Sequence, residues 1–127
     1  MALDYGLRRT GVALSDPSGT LARPHGVVLD AATDAGLRQI EDIVAAEEIE
    51  HLVVGLPLTL RGEVGAQAQA TQAFVKKLQG RLAVQVTTLD ERFTTTLAQA
   101  TPSDTAEDAL AAAHLLQSYL DSRSHHA

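Results

Sequence analysis

Residues 1–16, "MALDYGLRRTGVALSD", contain two apolar runs separated by a short polar segment that begins with a glycine. Val12 and Leu14 recur at the two-residue period of a β-strand, so the stretch predicts two strands joined by a tight turn at residues 6–9. Asp4 interrupts the first apolar run, where a carboxylate is costly unless its charge is satisfied. A strand-end acid bonding a turn amide is the alternative, but the position favours a functional role for Asp4.

The rest of the chain alternates between strand-like and helix-like patterns. The resulting β-β-β-α-β-α-β-α order predicts an α/β fold with a mixed sheet covered by helices. Further strands are predicted at residues 24–30, 51–57 and 82–89, and helices at residues 34–48, 63–80 and 104–121, with a short helix after Asp90.

Two of these helices have predicted buried stripes. The stripe of the 63–80 helix is predicted to consist of Ala66, Ala70, Phe74 (or Ala73) and Leu78. The stripe of the last helix is predicted to consist of Ala109, Ala113 (or Ala112), Leu116 and Leu120.

Length and composition narrow the class of protein. The 127 residues, 45% of them hydrophobic, are the size of one domain, predicted at residues 1–127. No apolar run is long enough to cross a bilayer, and no secretory signal is visible. The lack of cysteine excludes disulfides, thiolate catalysis and cysteine zinc sites, and it favours a cytoplasmic location.

The charge balance argues against a general nucleic-acid coat protein. The formal net charge is −6 and the isoelectric point is about 5.2, whereas such coats are strongly basic. The two Tyr, two Phe and no Trp also argue against a base-stacking platform. An enzyme that acts on nucleic acid, with its few arginines gathered near one site, remains compatible with this composition.

Acidic residues follow the predicted strands at the places where functional groups collect in such sheets. Asp4 ends the first strand, Asp90 and Glu91 follow the fifth, and Asp108 lies one turn into the last helix. Converging carboxylates suit Mg²⁺ or Mn²⁺, and two such ions are a common device for phosphodiester hydrolysis.

Each of these acids also has a structural interpretation. Asp90 fits a helix N-cap better than a metal ligand. Asp108 is suited to the positively charged N-terminal end of its helix. For Glu91, the structural and the functional role are equally compatible with the sequence. Asp16, Asp30 and Asp34 have the positions of turn and cap residues.

A second candidate feature is the segment "GLPLTLRGEVGAQAQ", residues 55–69. It leaves a buried strand and enters a helix, whose first backbone amides can bind a phosphate. Arg61 adds a fork-shaped donor for phosphate oxygens. A plain strand-to-helix connection explains the same pattern equally well.

Four motifs in order, "ALDYGLRRTGVALSD", "VVGLPLTLRGEVGAQAQ", "LDERFTT" and "DALAAAHLLQSYL", resemble the bacterial YqgF/RuvX family over nearly the whole chain. That family is described as Holliday junction resolvases and as nucleases for the 5′ end of pre-16S ribosomal RNA, with a ribonuclease H-like fold. The resemblance implies that Asp4, Glu91 and Asp108 are catalytic metal ligands. It makes Arg8, Arg9, Arg61 and Arg92 candidates for holding the substrate backbone.

The resemblance implies a cytoplasmic, metal-dependent nuclease for structured RNA or branched DNA, with Mg²⁺ or Mn²⁺ as the cofactor, two ions in all. A homodimer is plausible because a resolvase cuts two strands. The family has a longer, basic segment where this chain has "TPSDTAE", and a few more residues before "ALD".

Two other function classes compete with the nuclease. A sugar-kinase or actin-like nucleotide fold shares the "DYG" turn, but it needs two such domains. A non-catalytic ribosome-assembly or nucleic-acid-binding factor would have acids with structural roles only.

Overall fold

The computed structural model describes residues 1–58, 61–90 and 105–124. The order of strands and helices is the predicted one, and most boundaries differ from the predicted ones by three residues or fewer. The elements are β1 (Ala2–Asp4), β2 (Arg9–Ser15), β3 (Ala22–Leu29), α1 (Asp34–Ala46), β4 (His51–Leu56), α2 (Ala66–Arg81), β5 (Gln85–Asp90) and α3 (Thr105–Ser124). The short helix predicted after Asp90 lies outside the described residues.

The five strands form one mixed sheet in the order β3-β2-β1-β4-β5. Short turns join β1, β2 and β3, so these three strands run antiparallel. The connections from β3 to β4 and from β4 to β5 pass through helices, and β4 and β5 run parallel to β1. This mixed five-stranded sheet with flanking helices confirms the predicted α/β class and is consistent with a ribonuclease H-like fold.

Alternate residues of the central strands face opposite layers. Leu3 belongs to the core formed with α1 and α2, whereas its neighbour Ala2 belongs to the core formed with α3. Both side chains are fully buried, so β1 is covered on both faces. The side of the sheet that contacts α3 is called the α3 face below, and it contributes the small side chains of Ala2, Ala13 and Val53 to this core. Helix α3 contributes Ala112, Ala113, Leu115, Leu116 and Leu120.

Helix α2 packs in a different rotation from the one predicted. Phe74 and Leu78 are buried as predicted, but Ala66 and Ala70 line a surface groove beside Tyr5 and Leu7. Alanines occupy every second position at the start of this helix, so they do not determine which side turns inward. The buried residues are Ala68, Thr71, Phe74, Val75 and Leu78, and the Thr71 hydroxyl donates to the Gln67 carbonyl 2.9 Å away.

The predicted stripe of α3 is confirmed, since its four positions are all buried.

No helix in the described part of the chain has the length and apolar content that crossing a bilayer requires.

Candidate active site at the carboxyl end of β1

Asp4 is the last residue of β1, the central strand of the sheet. It follows Ala2 by two positions, and Ala2 packs against α3, so the Asp4 side chain lies on the α3 face. The residue is half-buried. Its position at a strand end, next to a covering helix, is the one predicted from the sequence.

Gly11 brings the start of α3 close to Asp4. It lies directly opposite Asp4 in the β1–β2 pairing, and therefore on the same face. A Cβ atom at Gly11 would collide with the carbonyl oxygen of Asp108 and lie 3.1 Å from the amide nitrogen of Ala109. The absence of a side chain thus lets the backbone of α3 pack on β2 at the residue that is paired with Asp4.

Gly11 is not among the site residues predicted from the sequence. The available signal was a glycine inside a strand pattern, which often marks a close approach by another backbone. That signal does not say which segment approaches.

The Asp108 carboxylate is mostly buried, with 16% of its side chain exposed. Its Oδ2 atom has no hydrogen-bond partner among the described residues. The same atom lies 3.1 Å from Nε of Arg9, so the two groups form an ion pair without an aligned hydrogen bond. Asp108 is also in the first turn of α3, where the helix dipole favours negative charge.

The two adjacent arginines have different surroundings. Arg9 begins β2 on the α3 face, and 36% of its side chain is exposed. Arg8 is 88% exposed, and its Nε lies 3.5 Å from the Asp30 carboxylate. The structure therefore brings Arg9, but not Arg8, to Asp108.

The remaining predicted site residues lie at or beyond the limits of the described chain. Arg61 is exposed in the connection that precedes α2. Gly65 is the N-cap of α2 and, as a glycine, has no side chain that could bond the first-turn amides. Glu91 and Arg92 lie outside the described residues.

Asp90 is the last residue of β5 and does not share a face with Asp4. Leu89 packs in the α3-side core, while Thr88 lies beside α2. By alternation along the strand, the Asp90 side chain is on the α2 side of the sheet. Its predicted role as a helix N-cap involves residues outside the described ranges, and it stays a prediction.

Asp16 and Asp30 have the turn roles expected of them, whereas Asp34 does not have the expected cap role. Asp16 accepts hydrogen bonds from the Leu21 amide, the Ser18 hydroxyl and the Thr20 amide, and these bonds lower the pKa of Asp16. The carbonyl of Asp30 accepts hydrogen bonds from the amide and the hydroxyl of Thr33. Thr33 rather than Asp34 is the N-cap of α1.

The chemistry of Asp4 and Asp108 fits a divalent cation. Within residues 1–58, 61–90 and 105–124, no three acidic or histidine side chains form a metal-binding group. In the described part of the site, Asp4 nevertheless lies opposite Gly11, on which the backbone of Asp108 packs, and one oxygen of the Asp108 carboxylate is buried without a hydrogen bond. Mg²⁺ and Mn²⁺ take carboxylate oxygens of this kind, together with water and phosphate oxygens.

A cavity of about 740 Å³ lies at the opposite end of the sheet, beside the start of β4. One wall contains His51, which is hydrogen-bonded to the hydroxyls of Thr87 at 2.8 Å and Tyr119 at 2.9 Å. These bonds tie the sheet to the C-terminal half of α3. Neither Asp4 nor Asp108 lines this cavity.

Comparison with known proteins identifies relatives along nearly the whole chain. A family model described as "RuvX: Holliday junction resolvase" matches residues 1–122. A protein of Sulfurihydrogenibium sp. (strain YO3AOP1) is 39% identical over 130 residues, which cover 95% of this chain and 88% of that protein. A protein of Roseiflexus sp. (strain RS-1) is 38% identical over 132 residues, covering 97% and 94%. Both relatives bear the name "Putative pre-16S rRNA nuclease".

Proposed function

The chain belongs to the RuvX family, and from this premise we propose that it is a metal-dependent nuclease that hydrolyses phosphodiester bonds. We propose structured RNA, above all the 5′ end of pre-16S rRNA, and branched DNA such as Holliday junctions as its substrates. The observation that supports the proposal most strongly is that Asp4 is paired with Gly11 and that the backbone of Asp108 packs against the same glycine, on the same side of the sheet. The unit of function is proposed to be one domain, residues 1–127, acting in the cytoplasm.

Asp4, Glu91 and Asp108 are proposed as the catalytic acids that hold Mg²⁺ or Mn²⁺. When bound, a pair of such ions supplies an activated water and stabilises the leaving oxygen. Asp4 and Asp108 contribute their carboxylates from a rigid strand end and from a helix packed directly on the sheet, so their positions are maintained before substrate binds. Glu91 is preferred over Asp90 because β5 directs Asp90 to the other side of the sheet.

Arg8, Arg9, Arg61 and Arg92 are proposed to bind the substrate backbone. Arg8 and Arg61 are exposed, as contacts with a phosphate require. The start of α2 adds first-turn backbone amides, and its N-cap residue Gly65 has no side chain to bond them. A homodimer would allow two strands of a junction to be cut together.

The proposal is tested by cleavage assays on a four-way DNA junction and on a pre-16S RNA leader, side by side, with Mg²⁺ and with Mn²⁺. Linear duplexes of the same length serve as controls. We expect metal-dependent cleavage of at least one of the two structured substrates and loss of cleavage in excess chelator. Cleavage that persists in chelator would contradict the metal-dependent mechanism.

A second candidate function is a non-catalytic factor that binds nucleic acid or assembling ribosomes. The observation that favours it is the ion pair of Asp108 with Arg9, which gives this acid a structural role. Such a factor would bind the same substrates without cleaving them in any metal, and it would not bind Mn²⁺ in a manner that depends on Asp4.

The adjacent acids Asp90 and Glu91 are expected to respond differently to substitution. Asp90→Asn should cost about 1 kcal/mol of stability, as expected for a weakened helix cap, and should reduce turnover only modestly. Glu91→Gln should keep its melting temperature but lose metal affinity and most of its turnover. Thermal melts and single-turnover cleavage at saturating Mn²⁺ measure both effects, and the reverse pattern would show that the two roles are exchanged.

A further inference from the structure

Arg9 provides the positive charge nearest to the Asp108 carboxylate in the described structure. Its Nε lies 3.1 Å from Oδ2 of Asp108, the oxygen that is buried without a hydrogen bond. A buried carboxylate oxygen needs a compensating positive charge, because the charge loses its hydration. Arg9 therefore supplies at Oδ2 of Asp108 the positive charge that a bound metal cation would supply there.

Arg9 and Asp108 form an ion pair and not an aligned hydrogen bond. Arginine usually binds carboxylates through aligned, bidentate hydrogen bonds, but the Arg9 contact is not an aligned hydrogen bond. Replacing Arg9 by another cation would therefore sacrifice no well-formed hydrogen bond at Oδ2. The Arg9 side chain is also 36% exposed, so part of it already contacts solvent.

We infer that Arg9 occupies, in the metal-free protein, the place beside Asp108 that a divalent cation takes when the site is loaded. Metal binding displaces the guanidinium from Oδ2, and Arg9 then becomes available to a substrate phosphate on the same face of the sheet. Arg9 is thus a positioning residue for Asp108 in one state and a substrate contact in the other. This inference rests on the proposed function, since it requires Asp108 to be a metal ligand.

If a metal ion must displace Arg9 from Asp108, removal of Arg9 should raise the affinity of the site for the metal. In the wild-type protein, part of the binding energy of the metal is used to remove Arg9 from Asp108. Arg9→Gln removes that competition, and at a separation of a few ångströms the loss of a unit positive charge is a large effect. We expect Arg9→Gln to bind Mn²⁺ about tenfold more tightly than wild type, and to melt at a lower temperature without metal.

The test measures Mn²⁺ binding by the electron paramagnetic resonance of the free ion, and melting by circular dichroism with and without Mn²⁺. The matched control is Arg8→Gln, which removes the same charge from the preceding residue. Arg8 pairs with Asp30 at the surface and is 88% exposed, so this variant should keep wild-type affinity for Mn²⁺ and its melting temperature. Arg9→Lys retains the positive charge and should bind Mn²⁺ with nearly wild-type affinity.

The outcomes separate this inference from the proposed function. If wild type binds Mn²⁺ and Asp108→Asn weakens the binding, the metal site stands, and an Arg9→Gln affinity equal to or below wild type overturns the inference alone. If wild type does not bind Mn²⁺ or Asp108→Asn binds equally well, the metal site and the inference both fail. If Arg9→Gln does not fold without metal, folding on addition of Mn²⁺ supports the inference, and failure to fold at saturating Mn²⁺ contradicts it.

Discussion

Asp4→Asn is expected to reduce cleavage by at least about a hundredfold, which equals about 3 kcal/mol of transition-state stabilisation. The amide keeps the shape of the side chain but lacks the charge with which Asp4 would hold a divalent ion at the scissile phosphate. Asp4 lies at the end of the central strand, next to the start of α3 and its carboxylate Asp108. If Asp4 serves catalysis and not folding, its replacement should not lower the melting temperature in metal-free buffer.

Asp34→Asn is the matched control for this substitution. Asp34 is also an aspartate at the end of a secondary-structure element, but its side chain is 97% exposed and pairs with Arg81. Its replacement should leave single-turnover cleavage unchanged. A large fall in the melting temperature of metal-free Asp4→Asn would instead show that Asp4 stabilises the fold, and it would remove the case for a catalytic role.

Gly11→Ala is expected to destabilise the protein by about 3 kcal/mol, a fall in melting temperature of about 10 °C. The added methyl group would collide with the backbone carbonyl of Asp108, and a backbone atom of a packed helix cannot rotate away as a side chain can. To accommodate the methyl group, α3 must move away from β2. Thermal and urea unfolding measure the cost directly.

Gly26→Ala tests whether this effect belongs to the contact with α3 or to any glycine of the sheet. Gly26 lies in β3, next to β2, and a Cβ atom at this position meets no heavy atom within 4 Å. This variant should be neutral or more stable by a few tenths of a kcal/mol, because alanine has less freedom in the unfolded chain. Equal destabilisation of both variants would contradict the proposed close approach at Gly11.

Gly11→Ala should also affect the site itself. If α3 moves away from β2, Asp108 moves away from Asp4, and both metal affinity and turnover should fall in the fraction of protein that remains folded. Normal Mn²⁺ affinity in a folded Gly11→Ala protein would show that the spacing of the two acids does not depend on this contact.

Local patterns in the sequence were sufficient to predict the elements and their order. The period of two in residues 12–14 and the helical stripe of α3 are properties of neighbouring residues, so they can be read without knowing the fold. The predicted buried stripe of α2 is wrong at Ala66 and Ala70, because alanines at 66, 68 and 70 suit several rotations of the helix. Only the packing of the larger Phe74, Val75 and Leu78 selects one of them.

Asp4 can be recognised as an unusual residue from its neighbours in the chain alone, because a carboxylate within an apolar strand is costly unless its charge is satisfied. Tertiary structure decided what Asp4 is paired with. The β1–β2 register places Gly11 opposite Asp4, and a shift of one residue would turn every side chain to the other face. The same register distinguishes Arg9, which reaches Asp108, from Arg8, which pairs with Asp30. These contacts join segments that are far apart in the chain, and local periodicity carries no information about which of them meet.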